Sequence, residues 1–163
     1  LYFHGLDSFL SEEKKLILQR FGKVTSPLID YRQVANINKV IELYAENAIA
    51  DINLVIGSSM GGLVAYHVSE KYNKPCLLFN PAFCHNSLGW VEESIVSLNQ
   101  NRTSMAHIVL GKKDDIIMYE DNVKINERNI HEPKTVITED DMAHKIPVKL
   151  FEKYVEKFLA FVP

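Results

Sequence analysis

Cysteine is scarce here: Cys76 and Cys84 are the only two in 163 residues. Two thiols cannot build the multi-bridge framework that staples small secreted domains, so stability has to come from apolar burial. Long hydrophobic runs are missing too. No stretch approaches the roughly 20 apolar residues that span a bilayer, and no basic segment leading into an apolar run marks a secretory leader. A cytoplasmic protein with free thiols is the expectation. Positive charge is not in excess either: 18 Lys and Arg against 21 Asp and Glu leave a net charge of −3, with the two signs interleaved. Without a basic stripe there is no footprint for nucleic acid, and the aromatics are scattered through apolar segments rather than set out as a stacking platform. The spacings H-E-x-x-H, G-x-x-x-x-G-K-[ST] and G-x-G-x-x-G do not occur. No metal and no cofactor are therefore expected.

What is present is an ordinary globular composition, 47% apolar and 24% charged, long enough for one domain over residues 1–163 with a substantial core. Apolar periodicity alternates between two types along the chain. Short buried-strand runs are expected at 1–3, 52–56, 75–79, 106–110 and 134–138, with an edge strand around 24–30, where Pro27 sits. Helical patterns fall at 12–21 behind Ser11 as N-cap, and then at 33–48, 63–72, 89–98, 119–130 and 147–161. Strand–helix alternation of this kind calls for an α/β fold: a mostly parallel sheet of about six strands with helices on both faces.

Gly57-Ser58-Ser59-Met60-Gly61 matches G-x-S-x-G between an apolar strand and a helix, the setting this motif needs. Glycine on either side lets strand and helix approach closely around a sharp turn that lifts the Ser59 hydroxyl clear of the sheet. The N–H of Met60 then lies at the positive end of a helix, where it can stabilise an oxyanion. Ser58 has the wrong place in the motif. Ser59 is the candidate nucleophile.

A serine hydroxyl needs a base, and the base needs an orienting carboxylate. In folds with this turn the acid and the histidine follow in loops after later strands. Asp114 comes three residues after Gly111, past strand 106–110, and Ile116 and Ile117 follow it as apolar anchors; its neighbour Asp115 is the rival. His144 is the histidine that follows the last strand. His67 falls in a helix, His107 in a strand and His131 before the last strand, which leaves His85 as the one competing base.

The second oxyanion donor is expected from the loop after the first strand, His4-Gly5-Leu6. Gly5 permits the tight exit and Leu6 contributes its N–H. Phe83, in the loop after strand 75–79, is expected to line a substrate pocket with Gly5. Cys84 lacks the glycine turn of a nucleophile and reads as a small packed hydrophobe.

Taken together, Tyr2-Phe3-His4-Gly5-Leu6, Gly57-Ser58-Ser59-Met60-Gly61-Gly62, Asn80-Pro81-Ala82, Asp114-Asp115-Ile116-Ile117 and Ala143-His144 resemble the α/β-hydrolase superfamily. More narrowly, they are similar to the short bacterial esterases of the YqiA type. The resemblance runs along nearly the whole chain. It implies a compact hydrolase core with minimal lid and activity on small acyl esters. It also implies Ser59, Asp114 and His144 as a triad, with Leu6 and Met60 as oxyanion donors. Two departures stand out: the sequence opens directly on the His-Gly strand, without the two antiparallel strands that begin larger members, and Ala143 precedes the histidine where many relatives have glycine. Thioester or amide cleavage by the same residues, and an idle fold that binds a ligand or partner, remain open alternatives. Oligomeric state is not read from the sequence.

Overall fold

The computed structural model describes residues 1–84, 87–90, 103–128 and 133–160. Five strands form one parallel sheet in sequence order: β1 (Tyr2–Phe3), β2 (Val55–Ser58), β3 (Cys76–Phe79), β4 (Ala106–Lys113) and β5 (Lys134–Ala143). The helices are α1 (Glu12–Gln19), α2 (Ile37–Tyr44), α3 (Met60–Tyr72), α4 (Tyr119–Arg128) and α5 (Val148–Leu159).

Alternation along the strands divides the core into two layers. Phe3, Val55, Cys76, Leu78, Ala106, Ile108 and Leu110 face one side and pack with Val40 and Ile41 of α2 and with Leu63 and Val64 of α3. Tyr2, Ile56, Leu77, Phe79 and Val109 face the other, against Ile17 and Leu18 of α1 and Phe151, Tyr154, Val155 and Phe158 of α5. Each central strand is buried on both faces, which is why these runs read as continuously apolar. Because every step across the sheet goes the same way, the right-handed crossover rule sends α3 and α4 to one face. The other face is left for α1 and α5.

Several expectations are corrected. The segment 24–30 is not a strand, so among the described residues the sheet has five strands rather than about six. Tyr2 N–H donates to the Thr25 carbonyl at 2.8 Å, but Pro27 has no N–H with which to carry a ladder further. The pattern over 33–48 resolves into a 3₁₀ turn, Tyr31–Gln33, followed by α2, whose N-cap Asn36 accepts from Lys39 N–H at 2.9 Å. Strand 52–56 begins later, at Val55, and the helix after Ser59 begins at once, at Met60. Most of the expected helix 89–98 lies outside the described residues, as do His85 and His131.

Strands β4 and β5 run beyond their apolar segments. Lys112 pairs with Asp140 at 2.7 Å and Lys113 with Asp141 at 2.6 Å, cross-strand ion pairs that extend the ladder into solvent. The register shifts between Gly111 and Lys113, so that Gly111 faces Glu139 while Lys113 faces Ala143. Consequently Asp114 and His144 each stand one residue beyond a strand end, on adjacent strands.

Candidate active site

The turn after β2 is strained where the chemistry is expected. Ser59 has φ 54 and ψ −123, a region that L residues rarely occupy and that costs on the order of 1–3 kcal/mol. Close packing holds it there. A Cβ on Gly57 would overlap the Gly61 carbonyl, and one on Gly61 would overlap the carbonyls of Phe3 and His4. Ser59 N–H donates to the Phe79 carbonyl at 3.0 Å, and the Ser59 carbonyl accepts from Gly62 (2.9 Å), Leu63 (3.2 Å) and Ala82 (3.0 Å). The serine backbone is thus fastened to α3 and to the end of β3 together. Met60 N–H heads α3, among the donors that a first helical turn leaves without an intrahelical partner.

Asp114 and His144 meet. The imidazole Nδ1 lies 3.0 Å and 2.9 Å from the two Asp114 carboxylate oxygens, and the aspartate side chain is 1% exposed against 22% for the histidine. Oδ1 of Asp114 also accepts from the N–H groups of Ile116 (2.9 Å) and Ile117 (2.8 Å). These local bonds fix the carboxylate and fill acceptor sites that burial would otherwise leave empty. A carboxylate can only accept, so Nδ1 carries the proton and Nε2 is left as the basic nitrogen. Asp115 is exposed.

Ser59 and His144 line one cleft of about 420 Å³ with Tyr2, Gly5, Leu6 and Ile146. The serine hydroxyl and the imidazole share this space without a direct hydrogen bond. Catalytic hydrogen bonds of this kind are commonly long before substrate is bound. Gly5 sits directly on the serine: a Cβ there would lie 3.3 Å from Ser59 Cβ. Phe83 is buried and its ring packs edge-on against Tyr66 at 5.2 Å; it is not among the residues lining this cleft.

His4 orients the first loop. Its Nε2 accepts from Ile29 N–H at 2.9 Å, so Nδ1 carries the proton and donates to the Gly5 carbonyl at 2.7 Å. That carbonyl and the Leu6 N–H belong to one planar peptide and point in opposite directions. Holding the carbonyl therefore aims the N–H. Tyr31 donates to the His4 carbonyl at 2.8 Å and completes the anchor.

Sequence reasoning missed the bonding role of Asn80, which entered only among the residues that carry the family resemblance. Asn80 adopts φ 42 and is buried. Its Oδ1 accepts from Gly111 N–H at 2.8 Å, and its Nδ2 donates to the Ala143 carbonyl at 3.0 Å. One carboxamide thus joins the strand bearing the acid to the strand bearing the histidine. A buried Asn after an apolar run was the available signal, since such a group needs partners.

A family model described as "Uncharacterised protein family (UPF0227)" matches residues 1–101. The chain belongs to this family. The matched part holds the His4-Gly5 loop, the Ser59 turn and Asn80. No protein of curated function matches the chain. Among solved structures, an alpha/beta-superfamily protein from Xanthomonas campestris pv. campestris is 15% identical with TM-score 0.73, covering 98% of this chain and 96% of that one. Est1E from Butyrivibrio proteoclasticus is 14% identical with TM-score 0.70, covering 98% and 85%. MGS-MChE2, an alpha/beta hydrolase enzyme from the metagenome of lagoon sediments at Mar Chica, Morocco, is 12% identical with TM-score 0.71, covering 98% and 88%. The UPF0227 chain has the α/β-hydrolase fold. Among its described residues, no helix is long and apolar enough to cross a membrane.

Proposed function

We propose that this chain is a serine hydrolase that cleaves small carboxylic esters through an acyl-enzyme, with Ser59 as nucleophile, His144 as base and Asp114 as its orienter. The observation that carries the reading is the Asp114–His144 pair, at 2.9 Å, behind a strained serine that lines the same cleft. In this mechanism Ser59 Oγ attacks the ester carbonyl carbon while Nε2 of His144 takes the hydroxyl proton. Asp114 stays ionised and stabilises the imidazolium that forms. Negative charge developing on the carbonyl oxygen is received by the N–H groups of Met60 and Leu6. Collapse of the tetrahedral species breaks the ester C–O bond, and the imidazolium protonates the departing alkoxide. Water, activated by the same histidine, then attacks the acyl-enzyme and releases the acid and free Ser59.

The test is labelling with a fluorophosphonate probe, read by mass spectrometry of the intact chain and its peptides. One adduct on the peptide containing Ser59, lost in Ser59→Ala, is the expected result. An unlabelled chain, or a label that survives the substitution, contradicts the reading.

A further inference from the structure

The same cleft carries two cations. Lys14, in the first turn of α1, and Lys145, directly after His144, both line it with Ser59. They come from elements 131 positions apart in sequence, yet lie close enough that Lys145 adds to the effect of burial in holding the Lys14 ammonium below the usual lysine range. Among the described residues, no carboxylate lies within ion-pairing distance of either ammonium. Elsewhere Lys15, Lys39, Lys71, Lys112, Lys113, Lys124 and Lys153 are ion-paired, while Lys23, Lys74, Lys149 and Lys157 share the unpaired state of the two cleft lysines. In a chain with net charge −3, acids are not in short supply.

The placement of Lys14 is built rather than incidental. Its Nζ stands over the ring of fully buried Phe151 at 5.2 Å, a cation–π contact that ties this side chain to α5. Around the two lysines the wall is apolar, made by Leu6, Phe9, Ile146 and Val148. Glu13 is the one acidic residue among those lining the cleft. Two lysines thus face the cleft with one glutamate, while the Asp114 carboxylate is engaged behind His144. Like charges converging on a ligand-sized space are a standing cost that a bound anion removes.

We propose that Lys14 and Lys145 form a carboxylate-binding subsite, so that the preferred ester is one that carries a single additional carboxylate, such as the monoester of a short dicarboxylic acid. The assignment rests on Ser59 being the nucleophile. A volume of about 420 Å³ suits a small ligand of this kind.

The test compares kcat/KM for p-nitrophenyl hemisuccinate and the uncharged p-nitrophenyl butyrate, using the whole chain at low ionic strength. The expected result is a preference for the hemisuccinate of ~10-fold or more, the range of a charge-assisted hydrogen bond. That ratio falls toward unity in Lys14→Met and Lys145→Gln, survives in Lys14→Arg, and shrinks as salt is added. Lys71→Gln, remote from the cleft, keeps the wild-type ratio. Butyrate turnover with no preference for hemisuccinate, or a preference untouched by Lys14→Met and Lys145→Gln together, overturns the subsite and leaves the hydrolase reading standing. No turnover of either ester, with Ser59 also unlabelled by the fluorophosphonate, overturns both.

Discussion

Asn80 donates from Nδ2 to the Ala143 carbonyl at 3.0 Å, across 63 positions of sequence, and so fixes the peptide that leads into His144. Its Oδ1 holds Gly111 N–H at 2.8 Å, three residues before Asp114. Acid and histidine are thus registered against each other by a third, buried side chain as well as by their own contact.

Replacing Asn80 by Ala removes both bonds and leaves a buried N–H without its side-chain acceptor. It also puts Ala at φ 42, which Asn tolerates better. The expected loss is about 3 kcal/mol of unfolding free energy, or roughly 10 °C in Tm. Urea and thermal unfolding measure it. A loss below about 1 kcal/mol would mean that the brace carries little.

Strain at Ser59 makes an opposite prediction. Glycine accepts φ 54 and ψ −123 without the steric cost that a Cβ incurs. Even after glycine's greater entropy loss, Ser59→Gly is expected to gain about 1 kcal/mol in stability while abolishing ester hydrolysis. Destabilisation by the same amount would show that the serine is not strained.

Asp114 and Asp115 are adjacent and chemically alike, but only Asp114 faces the imidazole. Asp114→Asn keeps the shape and an acceptor for Ile116 and Ile117 N–H, yet removes the charge and favours the wrong histidine tautomer. Its kcat is expected to fall by about 10,000-fold, whereas Asp115→Asn stays within about twofold. Similar losses from both would point to general electrostatics rather than to a dedicated pair.

His67, on α3, has its pKa lowered by burial from 6.5 to about 4. In the unfolded chain it binds a proton as pH falls through 6.5; in the folded chain it does so only near 4. Between those values the unfolded state holds more protons, so stability declines as pH drops, by ~3 kcal/mol in total. Above pH 6.5 the effect is absent. Denaturant unfolding at stepped pH should show this slope in wild type and a flatter one in His67→Gln. Equal slopes would place the acid sensitivity elsewhere.

Much of this architecture is legible from residue pattern. Ile56 and Leu77 sit in uniformly apolar runs because both faces of the sheet are covered, and Phe151, Tyr154, Val155 and Phe158 carry the helical period because one face of α5 is buried. The Ser59 turn is readable because Gly57 and Gly61 are dictated by local sterics. What fails to show is what depends on tertiary partners. Pro27 signals an edge but not that the strand is lost altogether. The charged ends of β4 and β5 look like loops until Lys112 and Asp140 are seen to pair. The ring contact of Phe83 with Tyr66 is not readable from its loop, and nothing local to Asn80 names Gly111 and Ala143 as its partners. Lys14 and Lys145 converge only because α1 and the end of β5 border the same cleft.

The most direct test of the central claim is steady-state hydrolysis of a p-nitrophenyl ester series of increasing acyl length by wild type and by Ser59→Ala, at matched folded concentration. The account predicts turnover on the short esters that declines with acyl length and disappears in Ser59→Ala. Undiminished hydrolysis in Ser59→Ala, or none by the folded wild type on any ester, would contradict it.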